Sequence, residues 1–368
     1  MDKRIVISGG VLTPALAVID ELKKRGGWNI YYLGRKYVME GEKAVSAEST
    51  IVPGEGAKFI PFNPGRFQRR FTRHTIPSLL RVPLGFLQAL YLLNKIKPQV
   101  ILSFGSYVSV PVVLVGWLLR VPILTHEQTV VFGLASKINA LFARKIAVSF
   151  FQSLGCFSKD KVILTGNPIR KEIFESKKSS QFSITNYQLP IIYITGGNQG
   201  SHVINMALLE TLPQLLEKYV VIHQTGEKDY SQITNHKSQI TKNLQAHYFL
   251  TPFVGSEDIG WVLNNACLVV SRAGANTVCE LAALGKPAIF IPIPWTYMDE
   301  QTKNAKLLVE AGVAEILPQE ELSGNTLFKA INSMIGNLEK YQKNSDESKK
   351  LVISHASAKL VDELQKMI

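Results

Sequence analysis

Short runs of apolar residues recur along the chain, and most are followed by a turn and then by a segment with helical periodicity. In the first half these runs span residues 5–8, 29–33, 99–104, 121–124 and 162–164. In the second half they span residues 190–194, 220–224, 247–253, 267–270 and 288–293. Short continuous runs are typical of strands buried on both faces of a parallel sheet. We therefore predict an α/β protein with two Rossmann-like domains that face each other across a cleft.

Length and composition agree with this architecture. At 368 residues the chain is long for one hydrophobic core, and 46% apolar with 19% charged residues is ordinary for a globular α/β protein. The polar stretch at residues 177–185 has the composition of a linker. We place the N-terminal domain at residues 1–165, the C-terminal domain at 166–343 and a closing segment at 344–368, with an amphipathic helix over 351–367.

Two glycine turns of the second half are candidate ligand loops. The first, Thr195-Gly-Gly-Asn-Gln-Gly-Ser201, opens a predicted helix, and its backbone N–H groups can face an anion beside the helix N-terminus. This indicates a diphosphate site, although the turn is not a Walker motif. The second, Ser271-Arg-Ala-Gly274, opens a helix that carries Glu280 and ends at Gly285. Glu280 is either a ligand-binding carboxylate or an exposed residue of an ordinary strand connection.

In the first half, two turns carry candidate chemistry. After the first strand, Gly9 and Gly10 precede Thr13, which we expect to cap the next helix, with Pro14 as its first residue. This turn lacks Gly-x-Gly-x-x-Gly, so the dinucleotide fingerprint is absent. His126 and Glu127 follow another strand, at the end of the sheet where catalytic groups collect. They either take part in catalysis or hydrogen-bond locally and brace the loop.

Several kinds of chemistry have no candidate residues in the sequence. The three cysteines form no Cys-x-x-Cys pair, and no Asp-x-Asp is available for a metal–diphosphate clamp. We therefore predict no metal and no cofactor, and the charge of a leaving diphosphate would be met by backbone N–H groups and helix dipoles. Residues 101–119 carry no charge, but their glycines, serines and proline predict a strand, a turn and a helix rather than a membrane span.

The positive charge is concentrated in one region. Residues 56–159 contain thirteen Lys or Arg and one acid, a net of +12 that equals the formal charge of the whole chain. The segment from Arg66 to Arg81 mixes five arginines with aromatic and aliphatic residues. It is either a solvated helical region or a patch that binds an anionic membrane surface. Nucleic acid is not expected as a partner, because no recognition motif accompanies the charge.

A longer pattern in the second half identifies a family. Ser271-Arg-Ala-Gly274 is followed by Glu280-Leu-Ala-Ala-x-Gly-x-Pro287 and then by Asp299-x-Gln-Thr-x-Asn-Ala305. Together with Gly166-Asn-Pro-Ile-Arg170, Gly196-Gly-Asn-Gln-Gly200, His223-Gln-Thr-Gly226, Tyr107-Val-Ser109, His126-Glu-Gln128 and Pro14-Ala-Leu-Ala-Val18, it resembles the MurG family over most of the chain. These bacterial N-acetylglucosaminyltransferases turn lipid I into lipid II in peptidoglycan synthesis.

The resemblance implies a fold, a reaction and a location. It implies the GT-B fold, with the last helix returning to the N-terminal domain. The implied reaction is inverting, metal-independent transfer of N-acetylglucosamine from UDP-N-acetylglucosamine to the muramyl sugar of an undecaprenyl-diphosphate-linked acceptor. The implied location is peripheral, at the cytoplasmic face of the cell membrane.

The resemblance also implies roles for individual residues. Glu280 would bind the ribose hydroxyls, and Gln301 and Asn304 would read the N-acetylglucosamine hydroxyls. The diphosphate would lie against Arg170, Gly197, Asn198, Gln199 and Gly200, the uracil against Val254, Arg272, Ala273, Gly274 and Ala275, and the α-phosphate against Asn276 and Thr277. The acceptor side would include Gly9, Gly10, Thr13, Tyr107 and Thr129, with Glu127 or His126 as the catalytic base.

The chain departs from the family pattern on the acceptor side. Its first loop is shorter than the family's Gly-Gly-Thr-Gly-Gly-His and lacks that histidine, a proposed general base. Ser106 replaces a glycine of the Gly-Gly-Tyr loop, and Thr129 replaces the usual Asn. Two alternatives therefore stay open: a UDP-sugar transferase with another lipid-linked acceptor, or a catalytically degenerate UDP-sugar-binding paralogue.

Overall fold

Each half of the chain builds a parallel β-sheet whose strands are almost completely buried. The computed structural model describes residues 2–37, 45–65, 75–175, 179, 181–182, 188–238 and 240–368. The chain folds into two compact units, the first comprising Met1–Arg170 with Ile353–Ile368 and the second comprising Lys171–Val352.

The first unit contains the sheet order β3-β2-β1-β4-β5-β6-β7, and its strand pairs are parallel. The strands are β1 Lys3–Ser8, β2 Trp28–Gly34, β3 Lys58–Pro61, β4 Val100–Ser103, β5 Ile123–Glu127, β6 Lys145–Val148 and β7 Val162–Leu164. The helices between them are α1 Leu12–Arg25, α2 Ala47–Ile51, α3 Thr75–Ile96, α4 Ser106–Leu118 and α5 Leu134–Phe142, followed by a 3₁₀ turn at Phe151–Cys156.

The second unit repeats the same topology with the order β10-β9-β8-β11-β12-β13. The strands are β8 Ile191–Thr195, β9 Val220–Gln224, β10 Tyr248–Thr251, β11 Ala266–Ser271, β12 Ala288–Phe290 and β13 Ala314–Ile316. The helices are α6 His202–Leu216, α7 Glu227–Lys237, α8 Lys242–Gln245, α9 Ser256–Asn265, α10 Ala275–Leu284, α11 Glu300–Glu310, α12 Gly324–Gly336, α13 Leu338–Lys343 and α14 Ser345–Lys349, with 3₁₀ turns at Lys171–Phe174, Tyr297–Asp299 and Gln319–Glu321. In both sheets the chain order reverses beside the first strand of the unit.

The last helix, α15 Ala356–Gln365, packs within the first unit. Leu360 and Leu364 are fully buried in the same apolar cluster as the inner face of α1. At the rim, Arg25 of α1 donates to Asp362 at 2.6 Å and to the Ala358 carbonyl at 3.0 Å. Apolar burial therefore fixes α15 on α1, and the hydrogen bonds of Arg25 set its orientation.

The uncharged stretch at residues 101–119 forms a strand, a turn and a helix, as its composition predicts. β4 is buried along its length, Gly105 turns the chain at φ 75°, and α4 follows with most of its residues inside the unit. Among the described residues, no helix is both long and apolar enough to cross a membrane.

Several details differ from the sequence-based expectations. Thr13 is not the cap of α1, because the helix already begins at Leu12 after an extended Val11 that makes no side-chain cap bond. The final helix begins at Ala356 rather than at residue 351, after His355 with a left-handed backbone.

The unit boundaries also lie later than the expected positions 166 and 344. Gly166 accepts a hydrogen bond from His126 and therefore belongs with the first unit, whereas Ser348 donates to Ala282 and belongs with the second. The part of the cationic segment from Arg66 to residue 74 and most of the expected linker at 177–185 lie outside the described residues.

Candidate functional site

The loops that leave β8 and β11 meet where the strand order of the second sheet reverses. β8 and β11 are neighbours, but β9 and β10 lie on one side of the pair and β12 and β13 on the other. The loop after β8 opens α6, and the loop after β11 opens α10. Connections depart in opposite directions at such a point, which leaves a crevice where ligands bind in open α/β sheets.

The glycine loop at residues 196–200 is held by close backbone packing. Gly200 has φ +73°, and a Cβ there would overlap the Thr225 carbonyl oxygen. Gly226, at φ +77°, in turn lies against the Gln199 carbonyl. Asn198 and Gln199 themselves are exposed. The loop is therefore fixed by its backbone, and its side chains remain open to a ligand.

The helix α10 presents the second group of predicted donor-site residues. Its N-cap residue is Gly274, which has no side chain that could bond the helix N-terminus. Asn276 and Thr277 in the first turn are half-buried. Glu280 lies farther along the helix and is only 6% exposed. A buried carboxylate in this position has the chemistry to accept hydrogen bonds from a diol.

Arg272 contacts backbone carbonyls rather than lying free in the crevice. Its Nη1 donates to Ile291 O at 2.8 Å and to Pro292 O at 3.3 Å, and Nη2 donates to Gln319 Oε1 at 2.7 Å. Burial lowers the pKa of Arg272 to about 10, which leaves it protonated at neutral pH. Arg272 thus holds the chain after β12, and any contact of this residue with a ligand is a second role.

Two predicted sugar-binding side chains also support backbone. Gln301 Oε1 accepts from the Ile293 N–H at 3.1 Å. Asn304 is completely buried and its Nδ2 donates to Ala273 O at 3.3 Å, while its Oδ1 has no hydrogen-bond partner in the described part of the chain. α11 therefore fixes the loops after β11 and β12, and Asn304 keeps one acceptor unused.

A buried polar network extends from the loop after β9 into the core. His223 Nδ1 contacts Tyr248 Oη at 2.8 Å, and its Nε2 contacts Asn205 Oδ1 at 3.0 Å. Asn205 Nδ2 then donates to Thr225 O at 2.9 Å. Burial lowers the pKa of His223 to about 3, so the ring is neutral. Next to it, Gln224 Oε1 accepts from the Val254 N–H at 2.9 Å, so this backbone N–H already has a hydrogen-bond partner within the protein.

The first sheet has an equivalent reversal point between β1 and β4. Gly9 follows β1 at φ +147°, and a Cβ there would lie 2.9 Å from the Phe104 Cβ. Its carbonyl accepts from Tyr32 Oη at 3.0 Å. Gly10 faces Ser106, the first residue of α4, which has a left-handed backbone at φ +64°. Of the predicted acceptor-side residues, Gly9, Gly10 and Tyr107, which is in the first turn of α4, therefore lie at this reversal point.

Arg35, which the sequence reading missed, lies beside these loops. It directly follows β2, its guanidinium lies 5.7 Å from the centroid of the Tyr107 ring, and Nη1 donates to Tyr107 Oη at 3.4 Å. Its backbone N–H donates to the buried Glu48 at 3.3 Å. A cation directly after an apolar run, next to the run that ends in Gly9-Gly10, is the signal that could have identified it.

His126 is neutral and both of its ring nitrogens are engaged. Nε2 lies 2.9 Å from the Gly166 carbonyl, which can only accept, so Nε2 carries the proton. Nδ1 then accepts from Gln128 Nε2 at 3.0 Å. Burial lowers the pKa of His126 to about 4. His126 therefore positions the Gly166 loop and is not free to accept a further proton.

Glu127 ends β5 with its carboxylate among hydrogen-bond donors. Oε1 accepts from Thr129 N at 3.2 Å and from Thr129 Oγ1 at 3.0 Å, and Ser136 also donates to the carboxylate. Burial nevertheless raises the pKa of Glu127 above its ordinary value, more than these donors lower it. Thr129 thus orients Glu127, and a raised pKa makes this carboxylate a stronger base than an exposed glutamate.

Arg170 belongs to the first unit, as its last residue before the boundary, whereas the glycine loop belongs to the second. Its predicted role at the diphosphate remains a prediction. Within the described ranges, no group of three or more His, Cys, Asp or Glu side chains converges in a way that could hold a metal ion.

Known proteins resemble this chain over its whole length. Residues 8–148 match the glycosyltransferase family 28 N-terminal domain, and residues 191–364 match the glycosyltransferase family 28 C-terminal domain. A Bacillus cereus protein named UDP-N-acetylglucosamine–N-acetylmuramyl-(pentapeptide) pyrophosphoryl-undecaprenol N-acetylglucosamine transferase 2 is 32% identical over 96% of this chain and 99% of its own.

Two further proteins extend the comparison. A Clostridium botulinum protein named as the same kind of transferase is 33% identical over 94% of this chain and 95% of its own. The crystal structure of Acinetobacter baumannii MurG superposes with a TM-score of 0.70, covers 99% of both chains and is 23% identical.

Alanine substitutions at two loop glycines test the packing of the glycine loop. We expect Gly197→Ala to cost about 1–2 kcal/mol of unfolding free energy, because its backbone is left-handed but no atom lies within 4 Å of the new Cβ. Gly200→Ala should cost about 1–3 kcal/mol more, because its Cβ meets the Thr225 carbonyl. Urea unfolding measures both, and equal costs for the two variants would contradict the close packing.

Proposed function

This chain belongs to glycosyltransferase family 28 and has the GT-B fold, and we propose that it transfers N-acetylglucosamine from UDP-N-acetylglucosamine to the muramyl sugar of an undecaprenyl-diphosphate-linked acceptor. The observation that carries the proposal is the full-length similarity, across both units, to relatives named for that reaction. The geometry of the second sheet supports a nucleotide-sugar donor, because a backbone-fixed glycine loop and a buried carboxylate flank its reversal point.

The donor would bind in the second unit. The diphosphate lies against the loop of Gly197 to Gly200, where backbone N–H groups and the N-terminus of α6 offset its charge. Glu280 accepts hydrogen bonds from the ribose hydroxyls. The free Oδ1 of Asn304 accepts from a sugar hydroxyl, which gives this buried acceptor a partner.

The acceptor would bind at the reversal point of the first unit, beside Gly9, Gly10 and Tyr107. Arg35 brings a cation to these strand ends, and a guanidinium suits the diphosphate of such an acceptor. A hydroxyl of the muramyl sugar attacks the anomeric carbon of the donor, the bond to the diphosphate oxygen breaks, and UDP leaves. The configuration at that carbon is inverted.

We assign the proton of the attacking hydroxyl to Glu127. Its carboxylate has a raised pKa and is oriented by Thr129 and Ser136, whereas both nitrogens of His126 are already engaged. His126 contributes by positioning the loop at Gly166.

We also propose that the protein binds the cytoplasmic face of the membrane through α3. Leu80, Leu84, Leu87 and Tyr91 are 69%, 60%, 62% and 63% exposed, and their spacing places them on one helix face, the α3 stripe. The opposite face, including Leu93, is buried in the core. Arg81 and Lys95 of the same helix are exposed cations. An exposed apolar stripe next to cations is typical of reversible docking to anionic lipid, where each cation contributes about 1 kcal/mol.

The reaction is tested by measuring UDP release from UDP-N-acetylglucosamine with and without a lipid I analogue. We expect release that depends on the analogue, because the acceptor hydroxyl is the nucleophile. Release only with a different lipid-linked acceptor would favour the transferase of other specificity, for which the changed acceptor loops are the supporting observation. Binding of the nucleotide sugar without release under any acceptor would contradict the transferase and favour the binding paralogue.

The role of Glu127 is tested by its pH dependence. Deprotonated Glu127 is the active form, so kcat/KM should rise with pH through an inflection above the ordinary glutamate pKa of about 4.3. Glu127→Gln should lower kcat by roughly 10²–10⁴-fold and remove this inflection. His126→Gln, which can still donate to Gly166, should keep it. A Glu127→Gln enzyme with the wild-type pH profile would exclude Glu127 as the base.

The membrane surface is tested by sedimentation with vesicles. The wild type should bind phosphatidylglycerol vesicles more tightly than neutral phosphatidylcholine vesicles. The double variant Leu84→Glu/Leu87→Glu should bind at least tenfold more weakly, because it places two charges on the α3 stripe. Phe174→Glu, at a site in the second unit that is 58% exposed, is the matched control and should bind normally. Equal binding by all three proteins would rule out the α3 stripe.

A further inference from the structure

We propose that Gln224 is a positioning residue that fixes the distance between the nucleobase end and the diphosphate end of the donor site. The inference rests on the proposed function, because it concerns how a nucleoside diphosphate is held. Gln224 is the last residue of β9, is 3% exposed and pairs in register with Thr195, which ends β8. Its side chain lies at the strand ends, where the ligand loops begin.

The contacts of Gln224 determine which way its amide points. The Val254 N–H and the Tyr193 hydroxyl lie 2.9 Å and 3.1 Å from Oε1. The Val254 N–H can only donate, so the atom facing it is the oxygen. The amide nitrogen therefore faces the opposite way and donates to the Gly197 carbonyl at 2.9 Å.

One end of this bridge fixes the glycine loop. The Gly197 carbonyl also accepts from the Gly200 N–H at 2.9 Å, and the Gly197 N–H donates to Thr195 Oγ1 at 3.0 Å. Gly197 has a left-handed backbone at φ +83°. The Gln224 side chain thus holds the turn through the carbonyl oxygen of Gly197. The orientation of that peptide group determines where the following N–H groups point.

The other end fixes the loop after β10. Val254 is 2% exposed, and Thr225 and Gly226 donate to the Thr251 and Pro252 carbonyls at 3.0 Å and 3.1 Å. The loops after β8, β9 and β10 are therefore joined through one amide and a short backbone ladder. A change at Gln224 alters the spacing between the Gly197 turn and Val254 without removing either loop.

This arrangement has a consequence for specificity. In the proposed donor site, uridine would contact the end near Val254 together with Glu280, and inorganic diphosphate would contact the glycine loop alone. UDP must contact both ends of the site at once, so its affinity increases when their spacing is fixed in advance. The two fragments do not need this spacing. Gln224 should therefore matter most for the intact nucleoside diphosphate.

The test compares the affinities of UDP, uridine and inorganic diphosphate by calorimetric titration and displacement. Gln224→Met keeps the shape of the side chain but neither donates nor accepts. We expect UDP to bind about tenfold or more weakly, the loss of a hydrogen-bonded bridge, while uridine and diphosphate each change by less than about threefold. Tyr193→Phe removes only the second contact of Gln224 Oε1, the bond from the Tyr193 hydroxyl, and should keep the wild-type ratio of UDP to uridine affinity.

A second variant keeps the question answerable if Gln224→Met folds poorly. Gln224→Glu still accepts from Val254 and Tyr193 but, when ionised, cannot donate to Gly197. Its loss of affinity for UDP is compared with its loss of affinity for inorganic diphosphate. The loss for diphosphate measures the repulsion by the added charge. Hydrogen exchange should also become faster at residues 196–201 and stay unchanged in β8 and β11.

The outcomes separate this inference from the proposed function. A greater loss for UDP than for both fragments supports the positioning role. Equal losses for all three ligands, or none, would show that Gln224 is only a structural residue. Wild-type protein that binds no UDP would instead overturn the proposed function, together with the ligand assigned to this bridge.

Discussion

The contact between two glycine backbones is the constraint on which the candidate donor site depends. Gly200 and Gly226 approach each other's neighbouring carbonyls so closely that neither position has room for a Cβ. This approach brings the loop after β8 against the loop after β9, and the backbone ladder from Thr225 and Gly226 then reaches the loop after β10. The position of α6 follows from this contact, and the bond from the Gln224 side chain to the Gly197 carbonyl then orients the turn that precedes α6.

Polar side chains at the ends of buried strands are the second recurring feature. His126 and Glu127 end β5, and His223 and Gln224 end β9, and all four are at most 6% exposed. Burial of a polar group costs free energy unless it is hydrogen-bonded. Here each group bonds to loop backbone or to another buried side chain, so the cost is offset and the loops gain a fixed position. Both histidines remain neutral, because burial lowers the pKa values to about 4 and about 3.

The sequence predicted most strands and the glycine loops because these are local signals, but it missed the short strands β3, β6 and β13. Continuous apolar runs identify buried parallel strands, and glycine is required where the backbone is left-handed or crowded. The roles of individual polar residues were harder to predict. Arg272 is 19 residues from the Ile291 carbonyl to which it donates, and Gln224 is 27 residues from Gly197. Such partners depend on which strands become neighbours, and no local pattern encodes that information.

The acceptor side shows how a shortened loop can keep part of its chemistry. The shorter connection after Gly10 lets α1 begin at Leu12, with an extended Val11 and no side-chain cap on the helix N-terminus. The first turn of α1 contains no acidic residue, so its N–H groups and partial positive charge are available at the strand ends. Arg35 adds a full charge at the end of the neighbouring strand. In the proposed acceptor site, the shortened loop lacks a histidine and glycines of the family pattern, and the helix terminus and the Arg35 guanidinium would meet the anionic acceptor. Proton transfer would then be supplied by another residue, which we propose to be Glu127.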